Sequence, residues 1–262
     1  GGGRSVIAGM SATKVAQYDN SSDDITSYTL ASSVWSETGT PAAASGSFGA
    51  LGFLPGTTGD VAWLDRTSEK LTLYRETANV WAKVANGLTV VCNAPAIVGF
   101  STTSVIVVDD DGTLETYTHA SGTWSAVGTP GDLGTGVSPS ITLLEVDGTS
   151  VHFVVTHDTS NSTIEHWTWN TSTEVFAQVG SNYTGLGNQG KITCCALSAT
   201  RIAIVTEDDG ILRAMDLTGD NTWTTYGTTL SIGSTSEPRL TTLSSTQVAL
   251  INGTNLIAYD FT

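Results

Sequence analysis

Along the chain, apolar residues fall in short runs separated by turn-forming residues, and no stretch keeps a helical period framed by capping residues. The runs recur as a unit. An aromatic phrase returns at intervals of 43 to 52 residues: Trp35-Ser-Glu-Thr-Gly39, Trp81-Ala-Lys-Val-Ala85, Trp124-Ser-Ala-Val-Gly128, Phe176-Ala-Gln-Val-Gly180 and Trp223-Thr-Thr-Tyr-Gly227. Upstream of each lies an apolar residue with a ring or its stand-in three positions on: Ile25/Tyr28, Leu71/Tyr74, Leu114/Tyr117, Ile164/Trp167, Leu212/Met215 and Leu256/Tyr259. Before these run short apolar segments at 15–19, 61–65, 105–109, 151–155, 202–206 and 248–252. Earlier still come the pairs Ile7/Met10, Phe48/Leu51, Ile97/Phe100, Ile141/Leu144, Ile192/Cys195 and Leu240/Leu243.

A strand with one wet face alternates apolar and polar residues, whereas a spacing of three puts apolar residues on opposite faces. Sheets of this sequence are therefore expected to be covered on both sides. Asp111-Gly112 and Asp209-Gly210 fall between the second and third runs of their units. Such pairs suit tight hairpins because Gly accepts positive φ. Pro95, Pro139 and Pro238 stand where first strands begin, a position that tolerates a missing N–H.

The unit resembles a blade of the β-propeller repeat superfamily, and the resemblance covers essentially the whole chain. No Gly-His to Trp-Asp signature of WD40 repeats and no kelch double glycine occurs, so no subfamily is implied. The resemblance implies an all-β fold, a six-bladed β-propeller of mostly four-stranded blades in one domain spanning 1–262. The blade-like repeats run approximately 5–46, 47–94, 95–138, 139–190, 191–237 and 238–262. The aromatic strand occurs five times against six copies of the other three. The last blade is therefore either three-stranded, the favoured reading, or completed by a missing segment or a partner strand at its open edge. Linkers rich in Gly, Ser, Thr and Pro follow each aromatic strand, at 38–47, 86–94, 129–138, 181–190 and 228–237. In propellers these linkers share a face with the second-to-third strand hairpins, and this loop face is where a protein or glycan ligand is expected.

Charge narrows the partners. The chain has 25 acidic and 10 basic residues, a net charge of −15, and only 13% charged residues. Scattered bases of this number do not suit phosphate neutralisation, so neither nucleic acid nor an anionic membrane surface is expected as a partner. No apolar run reaches membrane-spanning length. No signal peptide opens the chain, and Gly1-Gly2-Gly3 reads as a linker or a trimmed end, which is compatible with a leader having been lost. The three cysteines, Cys92, Cys194 and Cys195, define no disulfide framework. Low Lys and Glu with abundant Thr, Ser and Gly suggest an extracellular, cell-surface or virion-surface protein.

Candidate chemistry is sparse. His119, His152, His157 and His166 read as surface or rim residues, and no nucleophile elbow, zinc spacing or phosphate loop accompanies them. The most site-like residues are acidic and sit in hairpins. Asp19, Asp65 and Asp109 share a repeat position with Asn252, and Asp110, Asp111, Asp208 and Asp209 extend two of the clusters. Carboxylates at turns can hold Ca²⁺, but the alternating ligands and distal Glu of a calcium loop are missing, and Asp also caps turns. These seven aspartates are the candidate binding residues, with no metal, cofactor or catalytic residue assigned. Sialidase-like propellers carry Asp boxes and an arginine triad; the phrases ending at Trp124 and Trp223 lack the box core, and Arg4, Arg201 and Arg239 share no repeat position. A lectin could use the aromatic column or the extra Trp63 and Trp169, although fucose-binding propellers would need a repeated Arg. The expected function is a non-enzymatic interaction or structural module, with a glycan-binding lectin or a sialidase-like glycoside hydrolase as alternatives.

Overall fold

The computed structural model describes residues 5–44, 49–134, 138–158, 161–219, 221–233, 238–252 and 255–261. Arg4, Phe48 and part of the linkers lie outside the described residues. Strands β1 (Ser5–Ser11), β2 (Lys14–Asp19), β3 (Asp24–Ala31) and β4 (Val34–Ala43) form an antiparallel meander. A second meander comprises β5 (Gly49–Phe53), β6 (Asp60–Asp65), β7 (Lys70–Thr77) and β8 (Val80–Lys83), with β9 (Leu88–Thr89) also pairing β7. A single parallel pair, Thr40↔Val80, links β4 to β8 and makes one continuous sheet of the two. Three further sheets are β10 (Ala96–Gly99) to β13 (Thr123–Asp132), β14 (Ser140–Asp147) to β17 (Val175–Tyr183), and β18 (Ile192–Ser198) to β21 (Trp223–Ser231). Their inner members are β11 (Ser104–Val108), β12 (Thr113–Ala120), β15 (Ser150–Asp158), β16 (Ser162–Asn170), β19 (Arg201–Thr206) and β20 (Ile211–Leu217). The last sheet holds β22 (Arg239–Ser244), β23 (Gln247–Asn252) and β24 (Asn255–Asp260). All elements among the described residues are strands, and the arrangement is propeller-like with four-stranded blades.

The first strand of each meander faces the first strand of the next. β1 lies against β5, β5 against β10, β10 against β14, β14 against β18, β18 against β22, and β22 against β1. The chain thus returns on itself. Burial peaks in the second strands and falls toward the outer edge: β6, β11 and β19 are buried almost throughout, while β4, β13, β17 and β21 are mostly exposed. The core is divided into separate layers between consecutive sheets. Tyr18 and Ile25 meet Trp63 and Trp81 in one layer, and Leu71 meets Val105 and Trp124 in the next. Ile7 and Val15 of the first meander pack on Leu243, Ala249 and Ile251 of the last, closing the circuit. Neighbours in one strand serve different layers: Leu250 packs toward β18–β21, Ile251 toward β1–β4. This two-sided burial is what the apolar spacing of three demanded.

Two features of the sequence acquire a different meaning. Residues at the start of four of the five linkers belong to the outer strands, since β4 runs to Ala43, β13 to Asp132, β17 to Tyr183 and β21 to Ser231. The glycine ending each aromatic phrase makes this continuation possible. Gly39, Gly128, Gly180 and Gly227 all have positive φ and lie at register shifts of the third-to-fourth strand pairing. They form bulges that an L-residue resists. Where the phrase ends in Ala85 the outer strand stops at Lys83, and the separate β9 takes up the pairing with β7. The bulges also approach the next sheet: Thr40 N–H donates to Asn79 O at 2.7 Å and Thr129 N–H to Glu174 O at 3.2 Å. The second difference is one of register. The first-strand residues equivalent to Ile7 are Leu51 and Cys194, opposite Trp63 and Ile204, so the pairs beginning at Phe48 and Ile192 are displaced along their strands.

Leu250→Ala and Ile251→Ala should each lower stability by about 2–5 kcal/mol in urea unfolding. A sheet with one solvated face would register only one of them. Gly128→Ala forces an L-residue to φ +75 with its Cβ 2.5 Å from Glu174 O, and should cost more than about 1 kcal/mol.

Candidate functional site: an axial cavity

The innermost strands enclose a cavity of about 270 Å³ at the end where they begin. Each gives it at least two consecutive residues: Val6 and Ile7, Ala50 and Leu51 (with Gly49 before them), Ala96 and Ile97, Ser140 and Ile141, Thr193 and Cys194, Arg239 and Leu240. One repeat position thus builds an apolar ring of Ile, Leu and Cys side chains. The position before it is small in most strands and is an arginine in β22. Asn93, Pro95, Ser138 and Pro139 reach the cavity from the segments that enter β10 and β14, Lys191 from just before β18, and Arg66 from the β6–β7 hairpin. Arg66 and Asn93 are exposed, whereas Lys191 and Arg239 are half-buried.

Local bonding holds this mouth in shape. Ser140 Oγ accepts Cys194 N–H at 3.1 Å, and Thr193 Oγ donates to Pro238 O at 2.8 Å. Each bond ties a first strand to its neighbour. Burial pushes the Cys194 thiol up to about 11, so it stays a neutral apolar group. Burial raises the Asp158 carboxyl above its ordinary value, and the Lys191 charge offsets part of that rise.

None of the seven acidic candidates lines the cavity. Asp19 Oδ1 accepts Ser21 N–H and Oγ–H at 2.9 Å each. Asp65, only 2% exposed, accepts Thr67 N–H at 2.9 Å and Ser68 N–H at 3.2 Å, beside a short contact with Ser68 Oγ. Asp109 accepts the N–H groups of Asp110 at 2.7 Å and Asn93 at 3.0 Å, and Asp111 that of Thr113 at 2.8 Å. Asp209 accepts Ile211 N–H at 3.0 Å and pairs with Arg213 at 2.7 Å. Asp208 carries a backbone N–H to Gln189 O at 3.1 Å. The carboxylates of Asp19, Asp65, Asp109, Asp111 and Asp209 fix local backbone, and two of these turns adjoin the cavity: Asp65 precedes Arg66, and Asp109 holds the backbone of Asn93. Burial raises the Asp109 carboxyl to about 6, against two backbone donors that pull it down.

The aromatic column is structural where it is buried. Trp81, Trp124 and Trp223 are 2–3% exposed, and Trp63 and Trp169 are 1% exposed, so their rings offer no open face. Trp81 Nε1–H donates to Ser27 Oγ, which donates to Glu76, itself paired with Lys14 at 2.6 Å, a chain that joins the first two meanders. Two of the four histidines depart from the expected surface or rim location, since His157 and His166 are buried. Burial lowers the His166 imidazole to about 4, with its ring nitrogen 3.3 Å from that of His152. His157 lies 3.1 Å from Glu165, whose carboxylate also accepts from Trp167 Nε1–H at 2.8 Å and Asn182 Nδ2–H at 2.7 Å. A buried Glu with these partners explains why the sheet interior accommodates a histidine.

Arg239 was visible in the sequence as a candidate that shared no repeat position; Arg66 and Lys191 carried no signal of their own. The only mark Arg239 leaves is a break in a column of small residues, legible once the strand register is known.

The fold defines the class: a β-propeller-like arrangement. No protein family and no curated protein matches the sequence. Among solved structures, the chain is similar to SapL1 lectin in complex with alpha methyl fucoside, at a TM-score of 0.65 and 16% identity, over 100% of this chain and 93% of that one. It is also similar to a functionally unknown protein from Desulfotomaculum acetoxidans DSM 771, at a TM-score of 0.64 and 12% identity, over 99% of this chain and 82% of that one. At these identities the likeness concerns the fold.

Raising the folded-state pKa of Asp109 to about 6 means the native chain binds this proton more tightly than the unfolded chain, whose value stays near 3.8. Its contribution to stability should fall as pH climbs from about 4 to about 6. Asp109→Asn keeps an acceptor for both N–H groups and removes the fall. In urea unfolding the variant should match the parent near pH 4 and be the more stable at pH 7.

Proposed function

We propose that this chain is a non-enzymatic binding module, a single-domain six-bladed propeller whose axial cavity takes a glycan. The observation that carries the reading is the cavity itself. It is built from every innermost strand, has hydroxyl, amide and cationic groups at its mouth, and an apolar ring below. Such a lining suits a sugar, with hydrogen-bonding edges and an apolar C–H face. A volume of about 270 Å³ lies at the lower end of small-molecule sites, which span roughly 300–1,000 Å³, and favours one or two rings over a long oligomer. The fold likeness to a lectin seen with a fucoside supports a sugar ligand, although the buried tryptophans argue for the axis over the spaces between sheets.

The count of six rests on the circuit of first strands, with the lone Thr40↔Val80 pair taken as a contact between two blades. In this reading Asp19, Asp65, Asp109, Asp110, Asp111, Asp208 and Asp209 shape the rim by fixing the hairpins around the mouth. The Ser, Thr and Gly bias supports work outside the cell, on a cell surface or on a virion.

A glycan array, followed by fluorogenic glycosides of each sugar bound, tests the proposal. Binding without turnover is expected, and Asn93→Trp, which adds bulk at an exposed rim position, should weaken it at least tenfold while leaving the unfolding midpoint unchanged. Turnover, or a glycan held equally well by Asn93→Trp, would contradict the axial, non-enzymatic reading.

A further inference from the structure

The cavity carries the opposite sign to the rest of the chain. Acidic residues outnumber basic ones 25 to 10, yet the described lining holds Arg66, Lys191 and Arg239 and no carboxylate. These three come from three different sheets and converge only because the ring closes. Arg239 Nη1 also donates to Pro238 O at 3.3 Å, and of the bases away from the cavity Lys14, Arg75, Arg201 and Arg213 are ion-paired with Glu76, Asp60, Asp216 and Asp209. Two lining bases are guanidinium groups, whose planar fork matches a carboxylate in a bidentate fashion. They stand beside Ser138, Ser140, Thr193 and Asn93, hydroxyl and amide groups of the kind that bind a sugar's own hydroxyls. Low-dielectric walls of Ile, Leu and Pro side chains strengthen the field that such cations produce inside the cavity.

From this lining we infer that the ligand is a carboxylate-bearing sugar, with Arg66 and Arg239 gripping the carboxylate and Lys191 adding charge beside them. The inference rests on the glycan reading of the same cavity and adds the chemical class. A free sugar acid and the terminal residue of an acidic polysaccharide present the same group, and titration with each separates the two sources.

The experiment is calorimetric titration of the full chain with glucuronate and galacturonate, with glucose and galactose as neutral counterparts, and with acetate as a bare carboxylate. An acidic oligosaccharide ending in each uronate forms the further arm. Uronates should bind at least tenfold more tightly than their neutral counterparts, the margin expected of a hydrogen bond to a charged group. Arg66→Gln, at an exposed position, should erase most of that margin, and Arg239→Gln should do the same, with neutral sugars unaffected. Equal affinity for acidic and neutral sugars, or uronate binding untouched by both substitutions, would overturn the inference and leave the glycan reading standing. Acetate binding lost in Arg66→Gln, with no sugar bound better than acetate, would uphold the cationic site and overturn the sugar. No binding of any anion would overturn the inference outright.

Discussion

Everything in this molecule depends on covering both faces of each sheet. A strand such as β23, with Val248, Ala249 and Leu250 all fully buried, has no side it can show to water. An isolated meander of this composition would expose one apolar face at either side. Packing sheets in series leaves the first and last faces open, and only a closed circuit removes them. The layer between Ile7 and Val15 at one end of the chain and Leu243, Ala249 and Ile251 at the other is therefore the contact that lets the remaining layers exist. Its sequence separation is nearly the length of the chain, so it is also the contact with the largest loop-closure cost.

Closure creates the cavity as a by-product. The first strands splay around the axis and cannot fill it, because each presents only two or three residues at that level. The repeat makes the lower ring uniform and apolar. Function then has only a few positions through which to act, namely the residue before the ring and the ends of the hairpins. Arg239, Lys191 and Arg66 occupy such positions. The acidic hairpins contribute by geometry: Asp65 and Asp109 bind backbone N–H groups that position Arg66 and Asn93 at the mouth.

Much of the fold was legible because propeller-like packing writes itself into spacing. Aromatic phrases, apolar pairs three apart and prolines before β10, β14 and β22 all mark strands that the structure contains. The outer-strand extensions were misread as linkers because Gly, Thr and Pro are turn residues by composition, whereas here Gly39 and Gly128 serve bulges inside a strand. Ala85 supplies the counterexample, since the strand breaks where that glycine is missing. Register slipped at Leu51 and Cys194 because two-sided burial supplies several acceptable apolar residues in a row, and spacing alone cannot choose among them. The site was the least legible part. A search for shared repeat positions finds what holds the ring together, while the proposed binding group Arg239 is a residue that departs from its column.

The account's central claim is that ring closure places a cationic, sugar-sized site on the axis. A crystal structure of the full chain soaked with galacturonate tests it most directly. The account predicts one ligand on the axis, its carboxylate within hydrogen-bond distance of Arg66 and Arg239 and its ring above Ile7, Leu51 and Leu240. Ligand density confined to the clefts between outer strands, or a ring whose first and last sheets do not touch, would contradict it.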